Sequence, residues 1–221
     1  EPPSRPGDRS RAVTADAAAT GDPVLRSRPG DRSRAVTGDP QLRPSRPDDL
    51  PALVDVFVAA FQHGYRTLLP PDVLALVDLP TVSGWFAGWD THSDRPPLHT
   101  VVADIDSVPR GFVRLGDGAT DDTENVPPAD AGPAPGRVGY IAALYVHPDA
   151  AGAGVGRRLL EHSVSALAAD GYRAVTLWVF AGNERARGLY ASAGFLPDGA
   201  EVTDPRWRVP QIRLRREGID A

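Results

Sequence analysis

The chain reads as an α/β protein, a sheet with helices on both faces, and three stretches carry that reading. Gly139–Leu160 (GYIAALYVHPDAAGAGVGRRLL) runs from an apolar strand through a turn and a glycine loop into a helix start. Tyr172–Phe180 (YRAVTLWVF) is an apolar run of strand length, and NERARGLYASAG follows it as a helix. Upstream, a short strand at Gln41–Arg46 gives way to Leu50, Leu53, Val54, Phe57, Val58 and Phe61, spaced three or four apart. Strands alternating with helices bury both faces of a sheet under helical layers.

Composition narrows the function classes. The 221 residues suffice for one sizeable domain plus tails. A 41% hydrophobic and 24% charged content is that of a soluble globular protein. A net charge of −5 argues against whole-molecule binding to nucleic acid. All 24 basic side chains are arginines. Cysteine is absent, which removes disulfides, thiolate metal sites and a cysteine nucleophile, and no metal is expected. No apolar run reaches the ~18 residues of a membrane span. No apolar leader stands at the start, so a cytoplasmic location is expected.

The first forty residues differ from the rest. Ser4–Thr14 (SRPGDRSRAVT) recurs word for word at Ser27–Thr37. Few large apolar side chains lie there, too few to offset the entropy of ordering. Residues 1–40 are therefore expected to form a disordered, duplicated tail, and residues 41–217 the domain. The tail is an in-frame duplication or an arginine-bearing arm for an acidic partner.

The elements follow in order. Ser45-Arg46-Pro47-Asp48-Asp49-Leu50-Pro51 is a cluster that starts the first helix, and His63-Gly64-Tyr65 is expected to break it. Pro70-Pro71-Asp72 opens a second helix with Val73, Leu74, Val77 and Leu79, followed by a short aromatic stretch with Trp85, Phe86 and Trp89. His99–Ala103 and Gly111–Leu115 read as an antiparallel hairpin joined by Asp104–Arg110. Residues 116–136, acidic and rich in Pro, Gly and Ala, read as a mobile surface loop. After the strand at Gly139–Val146 come the glycine loop, a helix carrying Leu159, Leu160, Val164 and Leu167, and the strand at Tyr172–Phe180. Asn183 suits an N-cap and Gly194 a helix end. Trp207–Arg215 reads as a last strand, with Pro210 marking an edge or a bulge.

The glycine loop is the chemical centre. A loop opening a helix presents free backbone N–H groups and the positive end of the helix dipole, which suits a phosphate or pyrophosphate. A P-loop would need Lys-Ser/Thr where this chain has Arg157-Arg158. The dinucleotide fingerprint would need Gly-x-Gly-x-x-Gly, and Gly152-Ala153-Gly154-Val155-Gly156 has another last interval.

Leu144-Tyr145-Val146-His147-Pro148 followed by Gly154-Val155-Gly156 resembles the coenzyme A loop of the GNAT superfamily of N-acetyltransferases. Ala151 stands where that family usually carries Arg or Gln. Asn183, Ala186, Tyr190, Gly194 and Phe195 match the family's second motif position for position. The resemblance covers about Gln41 to Arg216. It implies a GNAT acyl-CoA N-acyltransferase fold, with a mixed central sheet of about six or seven strands and helices on both faces. It further implies acetyl-CoA as co-substrate and a small-molecule or peptide amine as acceptor. The implied coenzyme contacts are Leu144, Tyr145, Val146, Gly152, Ala153, Gly154, Val155, Gly156, Arg157, Asn183 and Tyr190. Val146 N–H would polarise the thioester carbonyl, and Tyr190 would protonate the leaving thiolate. Tyr65, Leu68 and Trp85 touch substrate under this resemblance, or simply pack in the core. Tyr140 stands where many relatives place a Glu, so deprotonation of the amine runs through water, Tyr140 or His147. A homodimer is also in keeping with the family, and a non-catalytic acyl-CoA sensor is the alternative function.

Overall fold

The computed structural model describes residues 38–87, 98–118 and 137–219. Most of the tail, the acidic loop beyond residue 118 and Trp89 lie outside the described residues. The elements are β1 (Gln41–Pro44), α1 (Leu50–Tyr65), α2 (Pro71–Ala75), α3 (Leu79–Ala87), β2 (His99–Ile105), β3 (Val108–Asp117), β4 (Val138–Val146), α4 (Val155–Ala169), β5 (Ala174–Phe180), α5 (Glu184–Ser192), β6 (Leu196–Thr203) and β7 (Pro210–Glu217). Seven strands form one sheet in the order β1-β2-β3-β4-β5-β7-β6. Among the described residues only β4 and β5 pair in parallel; the other neighbours are antiparallel. The sheet is therefore mixed, as expected.

Strand alternation divides the core between two faces. Leu144 and Val146 of β4 and Leu177 and Val179 of β5 point to the face covered by α4 and α5. Tyr145 and Phe180 point the other way, into an aromatic cluster under α1 and α3. Helix α4 lies close to the sheet because β3 and β4 carry glycines beneath it. A Cβ on Gly111 would stand 2.9 Å from Val155 Cγ1, and one on Gly139 would stand 2.9 Å from Leu167 Cδ1.

The feature that positions the site is where β4 leaves β5. The two pair from Val138↔Ala174 to Ile141↔Leu177 and no further. Yet β4 runs on to Val146 and β5 to Phe180. On its other edge β4 stays paired with β3 up to Val146↔Gly111. There Arg114 faces Ala143 and Leu115 faces Ile141, so Ala142 is one residue too many. A bulge bends its strand and increases the local twist, and this one turns the second half of β4 away from β5. It also resets the alternation: Tyr140 and Ala142 share one cluster, and Ala143 and Tyr145 lie under α1 on the same face.

Several boundaries differ from the sequence expectation. His63-Gly64-Tyr65 does not break α1, which runs to Tyr65. An interior glycine costs only ~1 kcal/mol, and Tyr65 is fully buried against Phe61 at 4.6 Å between ring centroids. The second helix is two: Asp78 accepts the Thr81 N–H at 2.9 Å and starts α3, with Pro80 in its first turn. The hairpin turn is only Asp106-Ser107, both at positive φ (52° and 62°), the geometry that matches strand twist. Pro210 marks neither an edge nor a bulge. It is the first residue of β7, which lies between β5 and β6. Strand β6 was not expected, and Trp207 stands in the turn before β7.

Candidate active site

The second half of β4 brings main-chain donors to the opening. His147 donates its N–H to Arg110 O at 2.8 Å. Alternation in an antiparallel pair then turns the N–H of Val146 and of Leu144 away from β3, toward the side that β5 has left. Among the described residues no strand is registered with them on that side.

The loop after β4 adds a second set of donors. His147 Nδ1 accepts the Asp149 N–H at 3.2 Å, and Ala150 and Ala151 donate back to His147 O and Pro148 O. Gly152 and Gly154 then take positive φ, 82° and 78°. A side chain is strained there, which is why glycine stands at both positions. Space is not the reason, because a Cβ on either would meet nothing within 4 Å. That open space lies over the start of α4. Gly154 is its N-cap and supplies no side-chain cap, so the N–H groups of Val155, Gly156 and Arg157 point outward without a helical acceptor. The cradle fits an anion on the geometry of the loop itself. Arg158 is paired with Asp39 at 2.7 Å. Arg157 instead lines a groove of about 460 Å³ between α4 and α5, with Leu160, Leu189 and Arg216.

Each face of the sheet buries a phenol. Tyr65 comes from α1 and Tyr190 from α5, and both are fully buried. Burial pushes the Tyr65 phenol well above its usual range; the neighbouring Tyr145 and Tyr190 phenols push it the same way, and a hydrogen bond from Asn183 opposes them. Asn183 also accepts the Ala186 N–H at 3.1 Å, so its oxygen caps α5 while its amide group serves Tyr65.

Val146, Val155 at the start of α4 and Tyr190 belong to one buried cluster, and Asn183 links the start of α5 to Tyr65. Trp85 belongs to the same aromatic cluster as Tyr65. Tyr140 stands apart, packed with Ala142 and Trp178. His147 acts as the cap of the turn, with its Nε2 3.8 Å from Asp55. Sequence reasoning passed over Phe180, Trp207 and Gln211. Phe180 lies 4.7 Å from Tyr65 between ring centroids, and Trp207 lies 6.2 Å from Phe180. Their only signal was polar or aromatic character at the end of an apolar strand or beside a proline. Among the described residues no cluster of His, Asp or Glu is placed to hold a metal, and no helix is long and apolar enough to cross a membrane.

The model of the acetyltransferase (GNAT) family matches residues 56–195, more than half of the chain, with the glycine loop, Asn183 and Tyr190 inside the match. The chain belongs to the GNAT acetyltransferase family. This GNAT chain is 36% identical over 104 residues to a mycothiol acetyltransferase of Geodermatophilus obscurus, a match covering 45% of this chain and 32% of the relative. It thus spans about a third of the length of that curated relative. A GCN5-related N-acetyltransferase of Rhodopseudomonas palustris superposes with a TM-score of 0.57 at 22% identity, over 82% of this chain and 98% of that one. The PaiA N-acetyltransferase of Thermoplasma acidophilum, solved in complex with coenzyme A, gives a TM-score of 0.57 at 15% identity, over 80% and 98%. At these identities the solved structures speak for the fold.

Proposed function

We propose that this domain transfers the acetyl group of acetyl-CoA to a primary amine by direct attack within a ternary complex. The observation that carries the reading is the opening between β4 and β5, with Val146 N–H turned into it and the α4 cradle at its mouth. The co-substrate supplies the activated thioester; the chain supplies position, charge and a proton.

The main-chain N–H groups of Gly152 and of Gly154 to Arg157 would hold the diphosphate and so fix where the thioester lies, the Ala153 N–H being bonded to Ala150 O. Val146 N–H would donate to the carbonyl oxygen as negative charge develops there, an effect worth ~3 kcal/mol per donor. An alkylammonium has a pKa near ~10 and must lose a proton before attack. His147 already uses Nδ1 as a turn cap, and Tyr140 sits in a separate cluster, so the proton is assigned to water. The free amine forms the C–N bond, the C–S bond breaks, and the proton the nitrogen then sheds passes through water to restore the Tyr190 phenol. The departing thiolate takes the phenolic proton of Tyr190, which stands on α5 beside the opening.

The test is release of free thiol from acetyl-CoA across a panel of amines, with Tyr190→Phe beside the parent. The expected result is amine-dependent thiol release that falls by about two orders of magnitude in the variant, with coenzyme A affinity kept. Release no faster than hydrolysis on every amine, with coenzyme A still bound, would favour an acyl-CoA sensor. Absence of coenzyme A binding at millimolar concentration would overturn both.

A further inference from the structure

We infer that Gln211 and Trp207 read the acceptor, and that they select an amine whose neighbouring carbon bears an amide, as in an aminoacyl amide or a peptide N-terminus. The inference rests on the acetyl-transfer reading and names its acceptor class.

Gln211 faces Phe180 of β5 on one side and Val202 of β6 on the other. Ile212 and Leu214 pack on the α4–α5 side of the sheet, so alternation turns Gln211 to the α1 side, where Phe180 and Tyr65 lie. Its side chain is fully buried, at 0% exposure, and neither Nε2 nor Oε1 has a hydrogen-bond partner. Trp207, 3% exposed, buries an Nε1 in the same condition. Two residues along β7 the fold does answer a buried polar group: Arg213 Nε donates to Asp198 at 2.6 Å. A buried polar group left unanswered is costly and calls for an account. Here two side chains, one in the turn before β7 and one on β7, carry three such atoms, one strand away from the opening.

The three atoms state what would answer them. Indole N–H and amide N–H groups call for a carbonyl oxygen, and the amide oxygen calls for an N–H. A bare alkylamine offers no carbonyl. A free carboxylate only accepts and would leave Gln211 Oε1 facing negative charge. A polyol amine would bring many hydroxyls in among Phe61, Phe180 and Trp85, which surround the Trp207 ring at 5.2, 6.2 and 6.4 Å. An amide brings one carbonyl and one N–H and otherwise tolerates apolar surroundings. Entry requires Trp85, half-buried at the rim of the cluster, to swing outward from Trp207.

The experiment compares kcat/KM for alaninamide, an alanyl dipeptide, alanine and propylamine in the parent and in Gln211→Met and Trp207→Phe. With kcat/KM referred to the free-amine fraction of each substrate, the parent is expected to prefer alaninamide over propylamine by at least about tenfold, and Gln211→Met to lower that ratio about tenfold, through KM more than kcat. A dipeptide used as well as alaninamide points to peptide ends; a dipeptide rejected points to small aminoacyl amides. Both outcomes support the inference. It is overturned if the parent shows no amide preference, or if Gln211→Met lowers every amine equally, as a purely structural role would. The parent's own preference decides even if the variants fail to fold. Failure on all amines would instead sink the acetyl-transfer reading.

Discussion

Gly154 shows what a single residue contributes. Its φ of 78° and the empty space above it set the direction in which the first N–H groups of α4 point. Gly154→Ala meets no atom, so its effect is backbone strain of about 1–2 kcal/mol. KM for acetyl-CoA is expected to rise several-fold, with a smaller change in kcat, in steady-state assays. Asn183 has two duties, capping α5 and bonding Tyr65. Asn183→Ala is expected to cost about 1 kcal/mol for the cap, read in denaturant unfolding. At this scale much was legible. The φ at Gly154 and the cap at Asn183 are local properties, and local pattern reports them. Gln211 was not legible, because nothing in WRVPQIRLR marks a polar side chain as buried between two strands.

At the scale of elements, one arginine ties the first strand to its neighbours. Arg43 of β1 bonds Asp49, before α1, at 2.7 and 2.8 Å, and Asp104 of β2 at 2.6 and 3.2 Å. Arg43→Met would leave two largely buried carboxylates facing each other's charge. A loss of about 3 kcal/mol is expected, measured by urea unfolding. The same cluster fixes an acid dependence. The Arg43 guanidinium and the Arg46 N–H hold the Asp49 carboxyl below its usual range against the opposing effect of burial. A carboxyl depressed in the folded state stabilises above its unfolded pKa, near ~3.9, and that stability is lost as pH falls through the folded value. The melting temperature should therefore drop on acidification below about pH 4 by more in the parent than in Asp49→Asn. Elements with strong periodicity, α1 and α4, were readable. Strand β6 (LPDGAEVT) was not, because it is an edge strand whose residues are mostly exposed and carry no apolar alternation. The Asp106-Ser107 turn hid for a related reason, since neither residue is a glycine.

For the whole molecule, the opening between β4 and β5 is a gap in its own sheet, where the pairing stops after Ile141↔Leu177. A ligand filling that gap binds the folded chain and not the unfolded one. At a hundred times its dissociation constant, coenzyme A is expected to add about 2.7 kcal/mol, or roughly 5–10 °C in melting temperature for a domain of this size. Differential scanning calorimetry checks it, and Gly154→Ala should shift the curve to higher coenzyme concentration.

By itself the sequence determined the α/β class, the glycine loop with its backbone donors, the capped α5 with Tyr190, and the family resemblance. Each depends on contacts within a few residues, and short-range pattern records such contacts. Only the tertiary structure decided that Ala142 is the extra residue, that β4 parts from β5 after Ile141, that Tyr65 packs on Phe180, and that Tyr140 packs with Ala142 and Trp178. Those depend on pairing between strands distant in sequence, where one extra residue resets which side chains share a face.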